Sequence, residues 1–244
     1  VSNMPLAENW VRQLKKRGLE PIHLTPEQRV EKEKQEAAMF TQQWEKQDRT
    51  KYIKASLWGE EKARSFKFSD WLPEKQANEQ RAKEVGNQAY RIMRQLAVEP
   101  FNVFLNGEAG TGKTSLALAI MDGLSDKCTN MFVSVIEWRD MTYQSFHDEK
   151  LQQQLAVVEK YMREVDVLIL DDFGKDTQRE AKEKMAGMLF RLADARKGKT
   201  TIITSNDNEL ALTKKYDMAT LSRLIPSNPN HVIDMTDMAD VREV

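Results

Sequence analysis

At 244 residues the chain has room for one full domain and a smaller appendage, at about 150 residues per domain. With 31% charged residues, no run of about 18 apolar ones and no apolar core in its opening VSNMPLAENW, it reads as neither membrane-spanning nor secreted, and a cytoplasmic location is expected. One cysteine, Cys128, and three histidines leave no disulfide framework and no Cys-based zinc site, while 37 basic against 38 acidic residues confine any nucleic-acid contact to a local patch.

In chain order, Leu6, Trp10, Val11 and Leu14 fall at helical spacing and end on Lys15, Lys16, Arg17 and Gly18, a basic last turn with a glycine stop. Thr25-Pro26-Glu27-Gln28 reads as an N-cap, a proline at the first helical position and a capping-box glutamine. The helix it opens is expected to run to about Thr50, with a thin stripe of Val30, Ala37, Phe40 and Trp44. Such a stripe either pairs with the first helix or waits for a partner. Residues 54–68 carry a glycine, mixed charge and aromatics and read as a linker. Glu74 to Leu96 is expected to be helical, burying Ala77, Ala82, Val85, Ala89, Ile92 and Leu96.

From Phe101 the pattern changes. Strands are expected over 101–106, 131–136, 165–170, 200–205 and 231–235, with helices over 116–124, 137–163 and 179–195. Strand–helix alternation predicts an α/β domain, a parallel sheet covered on both faces.

The first of these strands runs into Gly107, Glu108, Ala109, Gly110, Thr111, Gly112, Lys113 and Thr114, which match G-x-x-x-x-G-K-[ST], with Ser115 following. The glycines let the backbone curl its N–H groups toward phosphate oxygens, and the next helix offers its N-terminus to the same anion. Lys113 is then placed for the β- and γ-phosphates of ATP, and Thr114 for Mg2+. The apolar strand VDVLIL ends in Asp171 and Asp172, carboxylates at the carboxyl edge of the sheet beside the loop. Asp171 suits the Mg2+ shell, and Asp172 suits orienting or deprotonating the attacking water. The strand TTIITS ends in Thr204 and Ser205 with Asn206 after them, and Asn206 is the candidate contact for the γ-phosphate and the water.

Phosphate loop, acidic strand and polar strand end, in that order and followed by an arginine, resemble the AAA+ ATPases. GEAGTGKT, VLILDDFG, IITSN and LSRL are together similar to the bacterial replicative-helicase loaders of the DnaC/DnaI type. The resemblance covers residues 66–244, which it implies form a P-loop AAA+ ATPase domain. Residues 1–65 then form a small helical partner-binding domain with its linker. It implies that Arg223 is an arginine finger reaching a neighbouring subunit's nucleotide, so that the ATPase domain self-associates. It also implies a second arginine sensing the γ-phosphate in cis. Only Arg242 is near that place, about two residues late. Phe146 falls where such loaders set an aromatic against single-stranded DNA, unless it is a core residue of an amphipathic helix. The activity implied is Mg2+-dependent ATP hydrolysis that times the loading of a hexameric replicative helicase, gripped by the N-terminal helices, onto single-stranded DNA. The rival is a transposition ATPase of the IstB type, acting on duplex DNA with a transposase.

Overall fold

The computed structural model describes residues 25–59, 65–175 and 182–240. The chain divides into two compact units, Val1–Gln47 and Asp48–Val244. In the first unit, helix α1 (Pro26–Lys54) opens on the capping box read from the sequence. The Gln28 backbone N–H donates to Thr25 Oγ1 at 3.2 Å and the Thr25 N–H to Gln28 Oε1 at 2.9 Å. Val30 and Ala37 of the expected stripe are exposed. The side chains of Phe40 and Trp44, and the helix expected from Leu6 to Arg17, lie outside the described residues.

The second unit begins with the last turns of α1, where Arg49 donates to the Asp126 carbonyl at 2.6 Å and Tyr52 is buried edge-on to Tyr161. The linker expected over 54–68 is not free chain at its start. Leu57 forms a parallel bridge with Val133, and Trp58 stacks on Phe132 with ring centroids 4.8 Å apart. Local glycine and charge suggested a spacer, but pairing to a sheet edge is non-local and leaves no periodicity in so short a segment.

After two 3-10 turns, Phe68–Asp70 and Pro73–Lys75, comes α2 (Glu79–Leu96). Its N-cap is Asn78, whose side chain accepts from the Arg81 N–H at 3.0 Å. Ala77 therefore precedes the helix and is exposed, contrary to expectation. Ala82, Val85, Gly86, Ala89, Ile92 and Leu96 form the buried face. Then alternate β1 (Val103–Asn106), α3 (Lys113–Leu124), β2 (Asn130–Ser134), α4 (Val135–Gln144), α5 (Glu149–Glu164), β3 (Val167–Asp171), α6 (Lys182–Ala195), β4 (Thr200–Ser205), the short α7 (Glu209–Leu212), α8 (Met218–Leu224) and β5 (Val232–Asp234). The second strand stops two residues before its expected end because Ser134 is the N-cap of α4, its hydroxyl accepting from the Glu137 N–H.

Among the described residues the sheet has five strands, all parallel, in the order β2-β3-β4-β1-β5. Alternate strand residues feed two cores. Phe104, Met131, Val133, Leu168, Leu170 and Ile203 join the cluster that includes residues of α5, α6 and α8, while Val103, Leu105, Phe132, Ile169, Ile202 and Ile233 join that of α2 and α3. Burial on both faces accounts for the continuous apolar runs. Among the described residues no helix is long and apolar enough to cross a membrane.

The amino edge of the sheet is tied by Arg196, 3% exposed at the end of α6. Its guanidinium donates to the carbonyls of Met162, Val165, Asp166 and Thr200 and to Thr201 Oγ1. Burial pulls its pKa down to about 9, which leaves it charged at neutral pH.

Candidate nucleotide-binding site

The carboxyl ends of β1, β3 and β4 converge here, because β4 lies between the other two. β1 delivers Gly107–Gly112, and α3 starts at Lys113. Gly110 and Gly112 have φ of +78° and +96°, conformations costly for residues with a side chain. A β-carbon at Gly107 would stand 2.7 Å from the Met235 carbonyl, and one at Gly110 would run into the Asp240 carboxylate. The loop thus needs glycine at these positions for both conformation and space.

Lys113 is buried, and its Nζ donates to the carbonyls of Gly107 at 2.8 Å and Glu108 at 2.6 Å. Its cation is therefore held within the curl of the loop. Burial keeps its pKa below the ordinary lysine range, against the pull of Asp172. Thr111 is buried and closes the turn by donating to the Glu108 carbonyl.

Asp171, buried at the end of β3, accepts at Oδ1 from Thr114 Oγ1 at 2.8 Å and from Thr204 Oγ1 at 2.6 Å. One carboxylate oxygen thus joins the phosphate loop, the acidic strand and the polar strand. Asp172 follows with φ +59°, the one described non-glycine residue with positive φ. Its N–H donates to Thr204 Oγ1 at 3.1 Å, and its carboxylate pairs with Lys175 at 2.8 Å. The two acids line a cavity of about 850 Å3 with Glu137, Asp140 and Trp58. The loop after Asp172 is pinned by Arg139, which donates to the Lys175 carbonyl, and by Lys215, which donates to the Gly174 carbonyl.

The structure gathers Lys113, Thr114, Asp171 and Asp172 as expected, and adds Thr204. Asn206 is exposed one residue beyond β4. Ala109 and Ser115 lie in the loop and the first turn of α3. Arg223 lies elsewhere. Its carbonyl accepts from Asn102 Nδ2, just before β1, so it sits at the amino edge of the sheet, on the order of 15 Å from the loop. There its guanidinium bonds Asp194 Oδ1 at 3.2 Å and lies over the Phe190 ring. Phe146 is 49% exposed in the 3-10 turn Ser145–His147 between α4 and α5, near Tyr143, and the reading of it as a core residue is overturned. Arg242 lies outside the described residues.

A parallel sheet in this order, with a glycine loop and lysine after β1 and acids after β3, is the P-loop ATPase fold of the AAA+ class. The chain belongs to the IstB-like ATP binding protein family, whose model matches residues 66–223. Among solved structures it is similar to DnaI, over 70% of this chain and 91% of that one, at 20% identity and a TM-score of 0.54. It is also similar to AMPPCP-bound DnaA from Aquifex aeolicus, over 72% of this chain and 52% of that one, at 16% identity and 0.52. A DNA replication initiation factor is similar over 70% and 49%, at 15% identity and 0.51, so the chain spans about half the length of these two. No curated protein sequence matches it. At these identities the structures establish the fold alone, and it agrees with the fold the sequence implied.

Proposed function

We propose that this chain is a Mg2+-dependent ATPase that loads a replicative DNA helicase onto single-stranded DNA. The observation that carries the ATPase is Asp171 Oδ1, bonded at once to Thr114 and Thr204. Thr114 and Asp171 offer adjacent oxygens to a divalent ion, which suits a hard cation that takes few protein ligands and completes its shell with phosphate and water. Bound there, Mg2+ would neutralise charge on the β- and γ-phosphates. The backbone of Gly107, Glu108, Ala109, Gly110, Thr111 and Gly112 cradles the triphosphate, with Thr114 and Ser115 at the helix start. Lys113 exchanges its two loop carbonyls for phosphate oxygens. Asp172 takes a proton from the attacking water once Lys175 lets go, and Asn206 orients that water. Arg223, too far from its own loop, serves a neighbouring copy, so the ATPase unit self-associates. Arg242 is the candidate for sensing the γ-phosphate in cis.

The DNA half of the reading rests on Phe146. A half-exposed aromatic on a turn gives a base a face to stack on, worth about 1–3 kcal/mol. The N-terminal helices, with Trp10, Leu14, Phe40 and Trp44, are proposed to hold the helicase. The family match favours a second reading, an IstB-type ATPase acting on duplex DNA with a transposase.

Turnover separates them. ATP hydrolysis by the full chain should rise with single-stranded DNA more than with duplex of equal length. Phe146→Ala should lose most of that rise and keep basal turnover, and Asp172→Asn should bind ATP without hydrolysing it. A larger rise with duplex would favour transposition.

A further inference from the structure

Trp71 lies outside the phosphate loop in sequence and against it in space. It ends the 3-10 turn Phe68–Asp70, its N–H donating to the Phe68 carbonyl, and its indole Nε1 donates to the Ala82 carbonyl of α2 at 3.0 Å. Two glycines make room for the ring. A β-carbon at Gly86, in the interior of α2, would stand 2.8 Å from Cδ1 and Nε1 of Trp71. One at Gly112 would stand 2.7 Å from Cζ3. The pyrrole side of the indole is thus seated on the helix, and the benzo side on the residue that precedes Lys113 and caps α3.

Gly112 is held at φ +96°, where the chain turns from loop to helix. A glycine there has many other conformations open to it. Something must remove them if the N–H groups and Lys113 are to face an anion without a large ordering cost on binding. The indole is the rigid body in contact, fixed at its other end by a hydrogen bond to the carbonyl of Ala82, a fully buried residue of α2.

We propose that Trp71 is the positioning residue of the phosphate loop: wedged between Gly86 and Gly112, it holds the loop preorganised for the triphosphate. This rests on the nucleotide site proposed above and adds a residue that touches no phosphate. Gly86 is the more telling position, since it is remote from the ligand and alanine is preferred to glycine in a helix interior. Gly86→Ala pushes the ring onto Gly112 and should weaken nucleotide binding without lowering the melting temperature by more than a few degrees.

The experiment titrates the full chain with a fluorescent ATP analogue and Mg2+, alongside thermal unfolding. Wild type should bind. Trp71→Ala and Gly86→Ala should each raise Kd about tenfold or more, and Trp71→Phe, which keeps a ring between the glycines, should recover most of the affinity. In the Trp71→Ala background, adding Gly86→Ala should cause no further loss, because the ring it displaces is gone. Wild-type affinity in a folded Gly86→Ala and in Trp71→Ala, or fully additive losses in the double variant, would overturn the proposal. A wild-type chain that binds no nucleotide would overturn the site itself and this proposal with it.

Discussion

Thr204 links both acids of the site: its hydroxyl donates to Asp171 and accepts from the Asp172 N–H. The second bond steadies a left-handed Asp172, a conformation costing about 1–2 kcal/mol outside glycine. Thr204→Val keeps the shape and removes both bonds. It should cost about 1–3 kcal/mol of stability and, by freeing Asp172, lower turnover at least tenfold while ATP still binds. Urea unfolding and steady-state hydrolysis check the two effects, and unchanged turnover would assign Thr204 to structure alone. Lys113 gives a pH test. Its pKa is lowered by burial, so the folded chain sheds this proton before the unfolded chain does. In that alkaline window the unfolded state binds more protons, and the nucleotide-free fold gains stability as pH rises. Anion binding needs the ammonium and runs the other way. Affinity for the ATP analogue should therefore decline as the pH is raised, and earlier than an ordinary lysine would allow. A flat profile would contradict a functional Lys113. The loop lysine and the two acids were legible in the sequence because their chemistry is written in adjacent residues. Thr204 was visible only as one of three polar residues at a strand end, and register alone, with Leu170 beside Ile203, selects it.

Among the elements, the long periodic segments were readable and their ends were not. The β4 strand was expected and found over the same six residues. The start of α2 shifted because Asn78 caps it, which turned Ala77 outward. β2 gave up two apolar residues to α4 for the same kind of reason, a capping serine outweighing hydrophobic continuity. The docking of Leu57 and Trp58 on β2 had no local signal at all. Nor had Arg196, which stands in a polar RKGK segment that reads as a surface turn. Its donors satisfy carbonyls at the end of α5 and the starts of β3 and β4, which otherwise face a dry interior. Arg196→Leu should cost about 3 kcal/mol, read as a fall in the urea midpoint at unchanged slope. A loss below about 0.5 kcal/mol would mean that water replaces the guanidinium.

At the scale of the molecule, the proposed ATP site lies at one edge of the sheet and the arginine expected to complete it lies at the other. On the proposed reading a single copy holds two halves of different sites, which suits a chain that works in an assembly. In the same reading the half-exposed Phe146 is assigned to DNA and the helical segment that precedes the ATPase domain to a partner. The measurement that bears most directly on the loader reading uses the full chain, the hexameric replicative helicase of the same cell and a closed circle of single-stranded DNA. With ATP and Mg2+, the wild-type chain should bring the helicase onto the circle, measured as helicase co-eluting with DNA on a sizing column. Lys113→Ala should leave it off. No association with the helicase in any nucleotide state, together with turnover that answers only to duplex DNA, would contradict the loader reading.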